Sequence, residues 1–99
     1  MEKDFNKYQK ITEILKVLAH PVRICIVKGL IDQGECNVSH MQLCLDTPQS
    51  TVSQHLQKLR SAGIIEGRRE GLEIYYKICN QKVADLVKLL INQDEGAQI

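Results

Sequence analysis

Apolar residues recur at intervals of three and four along most of the chain, which is the spacing of one face of a helix. This pattern predicts a first helix over residues 5–19. A second helix is predicted to begin at Pro21, because a residue without an amide N–H is tolerated in the first turn, and to end at Gly34. A third, shorter helix is predicted over about Val38–Leu45.

The fourth predicted helix has the clearest boundaries. Thr47 is a good N-cap residue, Pro48 suits the first helical position, and Gly63 is the expected left-handed residue after the last turn. Between these boundaries, apolar residues at i, i+4 and i+7 predict one buried face: Val52, Leu56 and Leu59.

After Gly63 the period changes from that of a helix to that of strands. Residues 64–69 and 72–78 are rich in Ile and Tyr and predict a hairpin that turns at Glu70-Gly71. A last helix is predicted from the apolar stripe of Val83, Leu86, Val87, Leu90 and Ile91. The predicted fold is mainly α with a β-hairpin, in the order α-α-α-α-β-β-α. It forms one domain over residues 1–99, with a frayed tail over about 92–99.

The composition is that of an ordinary globular domain, with 43% hydrophobic residues, 25% charged residues and a formal net charge of +1. The charged N-terminus differs from a signal peptide, and no apolar run is long enough to span a bilayer. We therefore expect a cytoplasmic protein without a membrane partner. The four cysteines include no C-x-x-C pair, which argues against a disulfide scaffold or a zinc ribbon.

The outer face of the fourth helix is unusual for a solvated helix. It begins with hydroxyls and amides and has no acid between Gln49 and Ala62. Such side chains bond phosphates and base edges, and arginines near the hairpin tip add positive charge. The candidate DNA-contacting residues are Gln49, Ser50, Thr51, Ser53, Gln54, His55, Lys58, Arg60, Arg68 and Arg69. Their segment holds one acid against four basic residues, which predicts double-stranded DNA as the partner. The competing interpretation is an ordinary solvated helix and an exposed hairpin.

Three stretches, LAHPVRICIV, TPQSTVSQHLQKLRSAGII and RREGLEIYYKI, resemble the ArsR/SmtB family of winged helix-turn-helix repressors. The resemblance covers about residues 14–90. It implies a sequence-specific transcriptional repressor that binds a palindromic operator as a homodimer. The fourth helix would lie in the major groove, and the hairpin would be the wing.

The resemblance also implies that the first and last helices form the dimer interface. Their two apolar stripes offer more apolar surface than one thin core without Trp can absorb. The expected interface residues are Phe5, Tyr8, Ile11, Leu15, Val83, Leu86, Val87 and Leu90.

Many members of this family sense metals, but the usual ligands are missing here. Other residues occupy two thiolate positions and four zinc-ligand positions: Asn37, Ser39, Asn80, Lys82, Gln93 and Gly96. Cys36, His40 and Cys44 form an i, i+4, i+8 stripe, but it spans roughly 12 Å along a helix, so the three cannot all bind one ion without a partner subunit. We therefore expect no metal site and no cofactor.

Three alternatives remain open. The repressor could respond to thiol oxidation or to a metal through one of its cysteines, Cys25, Cys36, Cys44 or Cys79. The winged helix could instead be a protein-interaction module. An enzyme is the weakest alternative, because none of the three histidines has an evident nucleophile partner and a domain this short leaves little room for a closed pocket.

Overall fold

The computed structural model describes the backbone of residues 3–97 and the side chains of residues 3–92. A turn of 3₁₀ helix at Phe5–Tyr8 leads into α1 (Gln9–Leu18), α2 (Pro21–Gln33), β1 (Cys36–Asn37), α3 (Val38–Leu45), α4 (Gln49–Ser61), β2 (Ile65–Glu70), β3 (Glu73–Ile78) and α5 (Gln81–Ala97). The predicted fold class, mainly α with a hairpin between the fourth and last helices, is confirmed.

The ends of α2 follow the predicted chemistry. Pro21 occupies the first turn, and the ring nitrogen Nδ1 of His20 accepts a hydrogen bond from the N–H of Val22 at 3.2 Å. Gly34 ends the helix with a φ of +83°. Glycine adopts this conformation with little steric strain because it has no Cβ. The link between α1 and α2 is therefore two residues long and held by a side-chain cap.

The start of α4 differs from the prediction. Pro48 is the N-cap, and no side chain caps the helix. Thr47 is not the cap, because its hydroxyl turns back and donates to the carbonyl of Leu45 at 2.9 Å. Asp46, in the left-handed region at φ 49°, ends α3 and places Thr47 in the turn between the two helices.

The three strands form one antiparallel sheet in the order β1-β3-β2. The two-residue strand β1 was not predicted, since two residues are too short for a periodic pattern, and it pairs Cys36 with Tyr76. The hairpin turns at Gly71-Leu72, so Leu72 is not in a strand as predicted. The first central residue of this turn has a φ of +64°, which favours glycine at that position.

The core lies between the helices and the inner face of the sheet. Its most deeply buried side chains are Val27, Leu30, Val52, Leu56, Leu59, Ile64, Ile65 and Val87. Val83 and Val87 belong to this core, at 4% and 2% exposed. Their burial leaves them little surface to offer the expected dimer interface. The apolar residues of α5 serve two faces, and these two, at i and i+4, face inward.

The last helix continues to Ala97, so residues 92–97 are helical rather than the expected frayed tail. Residues 98 and 99 lie outside the described part. Within residues 3–97, no helix is both long enough and apolar enough to cross a membrane.

Candidate nucleic-acid interface

The exposed side of α4 is a continuous polar face. Val52, Leu56 and Leu59 are buried and set the orientation of the helix. Because successive residues turn by 100°, Ser50, Gln54 and Gln57 lie opposite them, along the centre of the exposed face. Gln57 was not among the candidate residues, although its i+7 spacing from Ser50 was visible in the sequence. Its side-chain amide donates to the hydroxyl of Ser61 at 3.4 Å.

The other candidates on α4 flank this central line. Gln49, Ser53 and Arg60 are exposed on one side, next to the buried Leu56. Thr51 is half-buried on the other side, and Lys58 is exposed near the end of the helix. The structure thus brings the predicted hydroxyls, amides and two cations onto one surface with no carboxylate between them.

His55 is set apart from the other candidates because it faces the protein. Its ring lies against that of His20, with the centroids 4.6 Å apart. Its Nδ1 also lies 3.2 Å from a guanidinium nitrogen of Arg23. Since an arginine can only donate, this hydrogen bond requires an unprotonated Nδ1.

Arg23 is a buried cation that sequence analysis missed. It is 9% exposed, and its Nε donates to the carbonyl of Val17 near the end of α1 at 2.5 Å. The other end of the same guanidinium reaches His55. Arg23 therefore joins α1 to α4 through one planar group. Its sequence context, an arginine among Ile and Val, predicted an apolar stripe and gave no indication of this role.

Burial lowers the pKa of His55, and the neighbouring charges of His20, Arg23 and Lys58 lower it further. The ring is therefore neutral at pH 7. We expect it to orient the helix by accepting from Arg23.

The two arginines of the hairpin have different surroundings. Arg68 forms ion pairs with Glu35 and with Glu70, the latter at 2.6 Å, and its guanidinium lies over the ring of Tyr75 at 5.2 Å. These hydrogen bonds raise the pKa of the guanidinium above its ordinary value. Its charge is thus compensated within the hairpin and by the residue preceding β1.

Arg69 lies on the opposite face of the hairpin, which carries the buried Ile65 at its base. Within the described residues it is exposed and has no ion pair. It points to the side of the sheet on which the helices pack. The tip beyond it is Leu72, which is fully exposed.

Two segments expose apolar side chains. Those of the N-terminal segment are Phe5, Tyr8, Ile11 and Leu15, which are 43–73% exposed. Those of α5 are Leu89 and Leu90, at 63% and 54%. Leu86 is half-buried. Leu89 was not among the expected interface residues, because it lies outside the i, i+3, i+4 stripe that includes the core valines.

Two residues at the expected metal-ligand positions have structural roles. The side-chain oxygen of Asn37 accepts from the N–H of His40 at 2.8 Å and caps α3. That of Asn80 accepts from the N–H of Val83 at 3.2 Å, at the start of α5. Among the described residues, no three His, Cys, Asp or Glu side chains are grouped so that they could hold an ion.

Known proteins share both the sequence and the shape of this chain. A helix-turn-helix domain family matches residues 18–68. The transcriptional repressor PagR of Bacillus anthracis is 49% identical over 78 residues, which are 79% of this chain and 78% of PagR. The transcriptional repressor SmtB of Mycobacterium tuberculosis is 41% identical over 75 residues, 76% of this chain and 55% of SmtB. The chain belongs to the ArsR/SmtB family.

Solved structures of winged helix-turn-helix proteins place the ArsR/SmtB elements in the same arrangement. The crystal structure of PagR superposes with a TM-score of 0.79 at 44% identity, covering 88% of this chain and 99% of PagR. The homodimeric winged helix-turn-helix DNA-binding domain of a possible ArsR-family regulator from Mycobacterium bovis superposes with a TM-score of 0.84 at 32% identity, covering 98% of this chain and 92% of that domain. In the terms of this family, α3 and α4 form the helix-turn-helix and the β2-β3 hairpin is the wing.

Proposed function

We propose that the protein is a transcriptional repressor that binds a palindromic operator as a homodimer. The observation that carries the proposal is the exposed face of α4, which offers hydroxyls, amides and cations without an acid. A helix with this chemistry suits the major groove, where glutamine pairs with adenine and hydroxyls bond bases or phosphates. The repression itself is proposed from the names of its relatives, PagR and SmtB.

The residues divide into three roles. Ser50, Thr51, Ser53 and Gln54 contact base edges, with Gln57 added from the structure. Gln49, Lys58, Arg60 and Arg69 contact phosphates. His55 and Arg68 hold the helix and the wing in place instead of contacting bases or phosphates directly.

The homodimer is proposed from the exposed apolar surface of the N-terminal segment and α5, and from the homodimeric domain of M. bovis. Two copies related by a twofold axis present two α4 helices about 34 Å apart, one turn of DNA. The proposal involves neither a metal cofactor nor catalysis. A repressor acts on the chromosome, which places this one in the cytoplasm.

The test compares specific with non-specific DNA for one glutamine. An operator is first selected with the wild-type protein from a library of random duplexes. Gln54→Ala is then expected to weaken binding to that operator by about 1–3 kcal/mol, roughly 5- to 150-fold, and to leave random duplexes unaffected. Fluorescence anisotropy at fixed salt measures both affinities. Gln81→Ala, an exposed glutamine on α5, is the matched control.

Two outcomes contradict the proposal. If selection enriches no operator and binding to every duplex is weak and insensitive to salt, the chain is a protein-interaction module instead. If Gln54→Ala weakens binding to the operator and to random duplexes equally, Gln54 contacts the DNA backbone, and the base-contacting role assigned to it is wrong.

A further inference from the structure

We propose that the cleft between α2 and α3 binds a small apolar α,β-unsaturated carbonyl compound and attaches it covalently to Cys44. The consequence of this modification for DNA rests on the proposed function, but the modification itself does not. Three observations support it: an apolar cavity, a paired thiol and imidazole at its wall, and the position of α3 against α4.

The cavity has a volume of about 120 Å³. Its apolar lining includes Ile26 and Leu30 from α2 and Met41 and Leu45 from α3. An apolar cavity on the order of 150 Å³ binds a molecule as large as benzene. A ligand of roughly six to eight non-hydrogen atoms therefore fits here, provided that most of it is hydrocarbon.

Cys44 and His40 both line this cavity, and both are exposed to solvent. The sulfur of Cys44 lies 3.5 Å from Nε2 of His40, within hydrogen-bonding distance for sulfur. A thiol paired with an imidazole is an activated nucleophile, because the ring can take the thiol proton. The ligand that suits this wall is therefore an electrophile.

The two other thiols of the cavity lack this arrangement. Burial raises the pKa of Cys36, and the nearby Cys44 raises it further, so Cys36 stays protonated. Cys25 is exposed and has no hydrogen-bond partner among the described side chains. Of the three, Cys44 alone combines access to solvent with a neighbouring base.

The reaction is an addition and needs no oxidant. Nε2 of His40 takes the proton from the thiol of Cys44, and the sulfur lone pair forms a C–S bond to the β-carbon of the ligand. The electrons of the C=C bond move onto the α-carbon and the carbonyl oxygen. The α-carbon then takes a proton from the imidazolium, which returns His40 to its neutral form and leaves a thioether.

The position of the cavity connects it to DNA binding. Met41 faces the cavity and is buried in the core at 6% exposed. The same helix, α3, packs directly against α4. An adduct wedged between α2 and α3 shifts α3 and with it the base-contacting helix, so we expect it to release the operator.

The test measures where and how fast 2-cyclohexen-1-one, a seven-atom apolar enone, modifies the full chain. Mass spectrometry of peptides follows each cysteine at pH 7. An unstructured cysteine peptide in the same mixture is the reference for an ordinary thiol. Cys79 is exposed and outside the cavity, but burial raises its pKa and its thiol donates to the carbonyl of Gly63 at 3.4 Å, so it should react more slowly than the peptide. We expect Cys44 to react about tenfold faster than the peptide. An ordinary thiol with a pKa near 8.5 is about 3% ionised at pH 7, which limits the gain from a base to about 30-fold.

Two variants separate the base from the cavity. His40→Gln keeps a polar side chain but cannot take the proton, and it should reduce the rate at Cys44 to that of the reference peptide. Gly29→Leu fills the cavity from α2, where a Cβ meets no atom within 4 Å, and it should slow cyclohexenone but not the small polar reagent acrylamide. Circular dichroism confirms that both variants fold.

Preferential modification of Cys25 or Cys79 would overturn the assignment of Cys44. So would a rate at Cys44 that neither variant changes. The DNA arm is separate: the operator affinity of protein alkylated at Cys44 should fall about tenfold or more, and that of a Cys44→Ser control treated in the same way should not. If alkylation is selective but affinity is unchanged, the cavity is reactive and the regulatory role is wrong. If the unmodified protein binds no operator, the proposed function fails while the assignment of Cys44 stands.

Discussion

Arg68 and Arg69 are adjacent in the chain, yet a strand directs their side chains to opposite faces of the hairpin. Their positive charge could be predicted from the sequence, but their partners could not. The predicted turn was one residue too early and would have paired Arg69 with Leu72, whereas the structure pairs it with Ile74. Glu35 is another reason, since it is 33 positions away from Arg68 and meets it only after folding. The exposed polar face of α4, in contrast, followed directly from its apolar stripe.

The two arginines should therefore differ in DNA binding. Arg69→Gln is expected to weaken binding to the operator and to random duplexes alike. It should also lower the slope of log K against log salt by about one unit, because one phosphate contact is lost. Arg68→Gln should leave that slope unchanged, because the guanidinium is already engaged by Glu35 and Glu70. A salt series on both duplexes measures the slopes. The reverse order would show that the wing contacts DNA through its outer face.

His55 makes stability depend on pH in a defined direction. Its pKa in the folded protein is lowered from the ordinary value near 6.5, mainly by burial and then by His20, Arg23 and Lys58. The unfolded chain therefore takes up the proton first, so this contribution to stability is full above about pH 6.5 and is lost as the pH falls through the folded pKa. Protonation also removes the acceptor that Arg23 uses.

Urea unfolding at a series of pH values between about 5 and 8 tests this assignment. The fall in unfolding free energy of the wild type below about pH 6.5 should be smaller in His55→Gln. Gln57→Ala, a change at an exposed residue of the same helix that has no titratable group, should retain the wild-type dependence. Equal profiles for all three proteins would assign the pH dependence to other groups.

At the scale of elements, helices α2 and α3 could be predicted to within a residue, since caps and apolar spacing are local properties. Strand β1 could not, because it exists only through its pairing with β3. The start of α4 was misplaced for a similar reason. Thr47 has the chemistry of an N-cap, but its hydroxyl hydrogen bonds to Leu45 in the turn that precedes the helix.

Two glycines within elements should respond oppositely to an added methyl group. Gly29→Ala in α2 should stabilise the protein by about 0.5–1 kcal/mol, because its Cβ meets nothing within 4 Å and the unfolded chain loses freedom. Gly67→Ala in β2 should destabilise it by about 1 kcal/mol, since its Cβ would lie 3.1 Å from both Ile74 and Tyr76. Chemical denaturation measures both. A gain at Gly67 would mean that Tyr76 moves aside easily.

At the scale of the whole molecule, one chain is more extended than its length requires. Its radius of gyration is 14.8 Å, against about 13 Å for a typical domain of this size. The turn at Phe5–Tyr8 buries no residue of its own. The sequence predicted that the two chain ends carry more apolar surface than a single core can bury. Which of these side chains face inward could not be predicted, because α5 carries apolar residues on two faces.

The exposed apolar residues at the two chain ends should control the association of two chains into a dimer. Ile11→Glu combined with Leu90→Glu is expected to give a folded monomer at micromolar concentration, because each change places a charge on the proposed interface. Leu43→Glu, at an apolar and even more exposed position of α3, should remain dimeric. Sedimentation velocity distinguishes the two states. A wild-type monomer at the same concentration would contradict the proposed homodimer.

The burial of Val83 and Val87 within one protomer has a consequence for how the cell could adjust repression. A chain that closes its own core can be folded before it meets a second copy, so pairing is a reversible equilibrium. While most chains are single, the number of pairs grows with the square of the number of chains. Doubling expression would then raise the number of pairs about fourfold. In the proposed function, the rate at which the protein is made and diluted by growth therefore sets a threshold for silencing, even when no small molecule is present.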